Sequence, residues 1–251
     1  MRNPKKLVFI HIPKTAGTSL RLLLESNYKE TERVGIYSRE NLDLKLKEAL
    51  ENPRIKCIYG HFELRPIIKN SNAHIITMLR TPIERSQSHF LHYQRSITTE
   101  HQELFSNVHT PEDFSKLRQS NNRQTAYLGG YILDFIDESV YQNALQNLDR
   151  LDAVGFTEYY AASIAYFGDQ FGWKNTLVEH HNSGGKKKEV AAKAVWESMN
   201  EYDLPLYDQA VARFAEILKA YEGRAPRVPK PPLIKRVKGY LRALSSKFWP
   251  R

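Results

Sequence analysis

Cysteine is almost absent from these 251 residues: Cys57 stands alone, which excludes an internal disulfide and a cluster of thiolate metal ligands. Its setting in Ile55-Lys-Cys-Ile-Tyr59 predicts a buried, inert thiol. No apolar run approaches the ~20 residues of a membrane-spanning helix, and the few residues between Met1 and the first apolar strand leave no room for a signal peptide. These absences imply a cytoplasmic or cytoplasm-facing protein. Acidic residues stop at Glu222, whereas Arg224, Arg227, Lys230, Lys235, Arg236, Lys238, Arg242, Lys247 and Arg251 follow it and supply the whole net charge of +9. Removing those nine from 37 basic residues leaves 28 against 28 acidic ones, so the body is formally neutral and nucleic-acid binding is not indicated.

Familiar phosphate-binding spellings are missing too. Neither Gly-x-x-x-x-Gly-Lys-[Ser/Thr] nor Gly-x-Gly-x-x-Gly occurs. The paired histidines His89/His92 and His180/His181 lack the further ligands a metal site requires, and no aspartate cluster appears, so a metal-free chemistry is expected.

What is present begins with Leu7-Val-Phe-Ile-His-Ile-Pro-Lys-Thr-Ala-Gly-Thr-Ser-Leu20, an apolar strand entering a loop of Pro13 to Ser19 and then a helix whose apolar face starts at Leu20. Such a corner is an anion cradle. Gly17 permits close backbone approach, the first helical N–H groups are unpaired, and Lys14, Thr15, Thr18 and Ser19 add a charge and three hydroxyls around Ala16 and Gly17. A phosphate or sulfate ester suits it.

Compact apolar runs predict strands at Leu7–His11, Ile55–Gly60 and His74–Leu79, with weaker signals at Ala153–Phe156 and Thr176–Glu179. Helical periodicity covers Leu42–Leu50, Pro82–Tyr93, Phe135–Leu148, Glu158–Phe171, Val190–Met199 and Leu206–Tyr221. The alternation predicts an α/β fold, a mostly parallel central sheet flanked by helices on both faces. Ligands then gather beyond the carboxyl ends of the strands, where the Lys14 loop, His61 and Arg80 all fall.

Arg80-Thr-Pro-Ile-Glu-Arg-Ser-Gln-Ser88 is the second strong signal. Arg80 at a strand end offers a guanidinium fork, Pro82 starts a helix, and Ser88 lies about two turns in, able to donate to the same group. Arg85 is expected at the surface beside Glu84 or another acid. His61 follows Gly60 and offers a neutral imidazole near pKa 6.5, a suitable general base.

The spelling Pro13-Lys-Thr-x-x-Thr-Ser19 resembles the 5′-phosphosulfate loop of sulfotransferases that use 3′-phosphoadenosine 5′-phosphosulfate, PAPS, especially the carbohydrate 2-O-sulfotransferase branch. Arg80-x-Pro-x-x-Arg85 with Ser88 resembles their 3′-phosphate site, and Gly60-His61 their catalytic base. That branch often carries His-x-His where this chain has Tyr59-Gly60-His61, so the base role falls to His61 alone. The resemblance implies a P-loop-like three-layer sandwich, transfer of a sulfuryl group to a hydroxyl of a carbohydrate or glycolipid, and Lys14 neutralising the departing phosphate. It spans about Leu7 to Tyr221, through Asn122-Arg-Gln-Thr-Ala-Tyr-Leu-Gly129, Val154-Gly-Phe-Thr-Glu158 and Leu204-Pro-Leu-Tyr-Asp208.

Asn122, Arg123 and Gln124 have two readings, acceptor contact or a polar helix start. Ser183, Lys186 and Lys187 in His181-Asn-Ser-Gly-Gly-Lys-Lys-Lys188 resemble a late loop over PAPS, and read equally as a solvated basic loop. A sulfotransferase domain is expected over 1–222 and a basic, proline-containing tail over 223–251. The tail alternates bulky apolar groups with cations from Leu233 to Trp249, a pattern for an interfacial helix on anionic lipid or for docking on the body. Two other functions are compatible with the anion loops: an atypical nucleotide kinase, and a non-catalytic module for sulfated or phosphorylated ligands.

Overall fold

A computed structural model describes residues 5–95, 108–132, 136–177 and 192–227. Strands β1 (Leu7–Ile10), β2 (Arg33–Ile36), β3 (Cys57–Gly60), β4 (His74–Leu79) and β5 (Ala153–Phe156) form one sheet in the order β2-β3-β1-β4-β5. Every pairing is parallel, with Leu7 opposite both Cys57 and His74. All residues of β1, β3 and β5 are buried, which is why these strands are continuous apolar runs rather than alternating ones. Cys57 lies in that core, and burial pushes its thiol pKa up.

The flanking helices are α1 (Gly17–Asn27), α2 (Leu42–Glu51), α3 (Pro66–Lys69), α4 (Pro82–Arg95), α5 (Pro111–Ser115), α6 (Arg123–Gly129), α7 (Glu138–Leu148), α8 (Tyr160–Phe171), α9 (Lys193–Ser198) and α10 (Asp203–Lys219). The principal core runs through all five strands. A smaller one joins Phe90 of α4 to Phe114 of α5 and Trp196 of α9.

Some boundaries differ from the sequence pattern for local reasons. Helix α7 starts after Asp137, whose carboxylate accepts the Val140 N–H at 3.0 Å, rather than at Phe135. A 3-10 turn over Thr157–Tyr159 delays α8 to Tyr160. The strand expected from Thr176 does not form over Thr176 and Leu177; Thr176 instead bonds twice to Arg227, its N–H donating to the Arg227 carbonyl at 2.9 Å and its Oγ1 accepting the Arg227 N–H at 2.6 Å. Conversely, β2 is a strand the pattern missed, because Arg33-Val-Gly-Ile36 is short, partly exposed and at the sheet edge. Arg224 pairs with Asp169 of α8 at 2.7 Å and Arg227 donates to the Gly168 carbonyl at 3.0 Å, so the basic tail begins docked. Its remainder, 228–251, lies outside the described residues.

Helices α6 and α10 cap each other. The Asn122 Oδ1 accepts the N–H groups of Tyr202 and Asp203 at 3.0 and 3.2 Å, closing the start of α10. In return the buried Asp203 carboxylate accepts from Gln124 N–H at 3.1 Å, Thr125 N–H at 2.7 Å and Thr125 Oγ1 at 2.8 Å. The exchange satisfies donors that both helix starts leave unpaired and locks α6 beside the sheet edge.

Gly60 is required by close approach. A Cβ there would lie 1.8 Å from the Ile36 carbonyl oxygen, the same oxygen that accepts the His61 N–H at 3.1 Å. Gly60→Ala is therefore expected to destabilise the protein by about 3 kcal/mol, the upper end of overpacking costs, because backbone rather than a side chain must move. Denaturant unfolding measures this; a loss below about 1 kcal/mol would mean that β2 shifts freely.

Candidate active site

The chain leaves β1 for the edge strand β2, returns to β3 beside β1, then passes to β4 on the other side. The order reverses at β1, the kind of switch point beyond whose carboxyl end open parallel sheets bind their ligands. Into that end run the His11–Gly17 loop after β1, Tyr37 after β2, His61 after β3 and Arg80 after β4.

The loop is built to hold an anion. Lys14 and Ala16 have φ of 72° and 59°, left-handed values that side chains other than glycine adopt at a cost and that collect at functional sites. Ala16 is the N-cap residue of α1 and provides no capping side chain. The first backbone bond into the helix is Leu20 N–H to the Ala16 carbonyl at 3.2 Å, and the amides of Thr15 to Ser19 donate to no described carbonyl. These groups carry the positive end of the α1 dipole.

The loop side chains divide their work. Thr15 is buried and its hydroxyl donates to the Ile12 carbonyl at 2.8 Å, so that hydroxyl shapes the turn while its amide stays open. The Ser19 hydroxyl is paired with Tyr160 of α8. Thr18 is exposed. Gly17 is needed for a reason the sequence did not reveal: a Cβ would fall 1.9 Å from Cδ2 and 2.0 Å from Nε2 of His11, whose ring occupies the space a side chain would take.

Arg80 reaches the same place. Its Nη1 donates to the Lys14 carbonyl at 3.5 Å and its Nη2 meets Glu84 at 3.4 Å. Its peptide is gripped on both sides by Gln124, which accepts the Arg80 N–H at 2.9 Å and donates to the Arg80 carbonyl at 2.9 Å. This corrects the acceptor reading of the 122–124 segment. Asn122 and Gln124 are buried with their amides engaged in capping α10 and holding Arg80; Arg123 is partly buried over the Tyr127 ring, its Nη1 donating to the Ile132 carbonyl at 3.3 Å, and is the one of the three side chains not engaged with α10 or Arg80. Ser88 lies partly buried on α4, the helix that follows Arg80.

Arg85 departs most from expectation. It is fully buried, not on the surface. Its Nη2 donates to Ser86 Oγ at 3.0 Å and to the Ser120 carbonyl at 3.1 Å, while Nε and Nη1 have no partner. Burial lowers its pKa to about 10. One turn on, the partly buried His89 has a buried, unpartnered Nδ1, and burial followed by Arg85 and Arg123 holds that imidazole far below its ordinary pKa. Lys14 is lowered first by burial and then by Arg80, Arg95 and Arg85; every charged neighbour acting on it is a cation. Cations thus converge on the loop with little to balance them, a charge distribution that a bound anion relieves.

Opposite this lies an imidazole pair. His61 is half-buried, with its ring centroid 4.4 Å from that of His11 at 71° and 4.8 Å from that of Tyr37 at 80°. His11 Nδ1 lies 3.3 Å from the Tyr37 hydroxyl. Burial, then Arg123, lowers His61 to about 4, well under the 6.5 expected from an ordinary imidazole. Burial, then His61 and Arg21, lowers His11 to about 3. Both rings are neutral at pH 7. Sequence reasoning found His61 and missed His11, although the signal was present: a histidine directly after the first strand of an anion loop. Ser183, Lys186 and Lys187 lie outside the described residues.

No protein-family model and no curated protein matches the chain. Among solved structures, it is similar to the mouse sulfotransferase SULT7A1 complexed with PAP, at 14% identity and a TM-score of 0.43, over 86% of this chain and 89% of that one. It is also similar to a sulfotransferase from Alicyclobacillus acidocaldarius, at 14% identity and a TM-score of 0.41, over 87% of this chain and 98% of that one.

Proposed function

We propose that this chain is a sulfotransferase that moves the sulfuryl group of PAPS to a hydroxyl of a carbohydrate or glycolipid acceptor. The observation that carries the proposal is the convergence of an uncapped helix start, Lys14 and Arg80 at one sheet edge, with Arg80 touching the Lys14 carbonyl at 3.5 Å and His61 at the end of the strand next to β1. In this assignment the amides of Thr15 to Ser19 and the Lys14 ammonium hold the 5′-phosphosulfate, and Arg80 with Ser88 holds the 3′-phosphate. The acceptor oxygen forms the new bond to sulfur as the bridging bond from sulfur to phosphate oxygen breaks. An imidazole nitrogen of His61 takes the hydroxyl proton, and Lys14 neutralises the charge left on the phosphate. Arg123 is the acceptor-side cation. The carbohydrate class rests on the likeness of the Pro13–Ser19 and Gly60-His61 spellings to the 2-O branch.

The test is calorimetry with 3′-phosphoadenosine 5′-phosphate, PAP, in EDTA, combined with transfer of ³⁵S from labelled PAPS to desulfated glycosaminoglycan oligosaccharides and glycolipids. Metal-independent PAP binding with label on an acceptor is the expected result. Magnesium-dependent phosphate transfer from ATP would instead mark a kinase, and PAP binding without transfer to any acceptor would mark a binding module.

A further inference from the structure

Resting on that reading, we infer that His11 is a positioning residue, set between the anion loop and the base so that it fixes where the His61 ring stands relative to the donor cradle. Among the described residues it is the side chain that touches both. One flank of its ring fills the space above Gly17, the first residue of α1, where even a methyl group would come within 1.9 Å of the ring. Another meets His61 at a centroid distance of 4.4 Å in an edge-to-face arrangement. The ring has little freedom to leave this place, because a face stacks on Phe9 of β1 at 5.4 Å and 13° and Nδ1 is held 3.3 Å from the Tyr37 hydroxyl. The backbone on either side is equally fixed: the His11 N–H donates to the Gly60 carbonyl at 3.0 Å, and the His61 N–H to the Ile36 carbonyl at 3.1 Å.

The consequence concerns alignment. A base must stand within hydrogen-bond reach of the attacking hydroxyl while that hydroxyl lines up with the sulfur held by the loop. Two side chains on different strands keep such a relation only if something rigid spans them. His11, six per cent exposed and packed on four sides, is that spacer. Burial also keeps it neutral, so it neither competes for the anion as a cation nor repels a protonating His61.

The experiment pairs kinetics with a readout that does not depend on activity. His11→Ala is expected to lower kcat about 10- to 100-fold, the size of a misplaced catalytic group, with the KM for PAPS and the Kd for PAP changed less than about twofold. In the His11→Ala/His61→Ala double variant the effects should not multiply: it should be no slower than His61→Ala alone. Should His11→Ala fail to fold, Tyr37→Phe replaces it, removing only the hydroxyl that steadies His11, with an expected loss of about threefold to tenfold in kcat. His11→Asn, which keeps a donor near the Nδ1 position, should recover part of the loss. Independently, imidazole NMR should show the His61 ring signals displaced in His11→Ala and its titration midpoint raised from about 4 toward 6.5 as solvent enters. Multiplicative double-variant effects, a fall in PAP affinity matching the fall in kcat, or unmoved His61 signals would each overturn the role. Displaced His61 signals in a wild type that neither binds PAP nor transfers sulfate would uphold the contact and sink the sulfotransferase assignment instead.

Discussion

His61→Ala is expected to lower kcat about 10²- to 10⁴-fold while PAP binds as it does to the wild type. The separation follows from position: His61 ends β3 on the acceptor side of the loop, and the groups assigned to the donor are Lys14, Arg80, Ser88 and the α1 amides. An equal loss of PAP affinity would place His61 in the donor site and remove its role as base. The pH dependence sharpens the test. His61 faces His11 from the β1 loop, Tyr37 from beyond β2 and Arg123 from α6, and burial with Arg123 depresses its pKa to about 4. The neutral, competent form therefore persists down to about pH 4 in the free enzyme, so kcat/KM should stay level from pH 7 to about 5 and fall as pH drops through 4. Bound donor brings negative charge to the same edge and favours the imidazolium, so the acidic limb of kcat should lie at higher pH than that of kcat/KM. Stability must be followed in parallel. His11 and His61 are neutral in the folded protein but near 6.5 when unfolded, so stability falls as pH drops below about 6.5 and the unfolded chain takes up protons the native state refuses. A kcat/KM limb near pH 6.5, without unfolding, would show that His61 is not the titrating base.

The parts legible in the sequence were those in which local pattern and tertiary role coincide. The four residues of β1, β3 and β5 are apolar because they are covered on both faces, and a parallel sheet places their carboxyl ends on one edge whatever the details of the loops. From that alone Lys14, His61 and Arg80 could be put together. What could not be read was which polar residues serve the fold. Gln124 looks like an acceptor contact on paper, yet its amide grips both sides of the Arg80 peptide; Asn122 looks the same, and caps α10 from 80 residues away. Arg85 resembled a surface partner for Glu84 because an i, i+1 neighbour in sequence says nothing of which side of a helix is covered, and α4 is covered by Ser120 and its surroundings. His11 escaped notice because its significance is a contact across strands, and β2, which brings Tyr37 to it, is a four-residue edge strand with a charge and a glycine.

The cation cluster carries the other large expectation. Lys14→Ala and Arg80→Ala should each weaken PAP binding about 10- to 100-fold, the worth of one charge-assisted hydrogen bond to a phosphate at about 1.5–3 kcal/mol. Neither should lower the melting temperature of the ligand-free protein appreciably. Arg80 meets Glu84 only in a long, partly exposed i, i+4 pair, of a kind that contributes little to stability, and Lys14 is half-buried among Arg80, Arg85 and Arg95, its pKa depressed by burial and then by that repulsion. Removing its charge relieves the neighbours, so the ligand-free Lys14→Ala protein should melt at or slightly above the wild-type temperature, and only the wild type should gain strongly when PAP is added. Arg85 makes the contrast. Its Nη2 joins Ser86 and the Ser120 carbonyl in the interior, so Arg85→Ala removes packing and leaves a buried cavity. That variant should lose both stability and PAP binding. Calorimetry and thermal melts on the three variants therefore separate ligand-directed cations from a structural one. If Lys14→Ala melts several degrees lower and binds PAP as tightly as the wild type, the loop is a structural corner rather than a donor site.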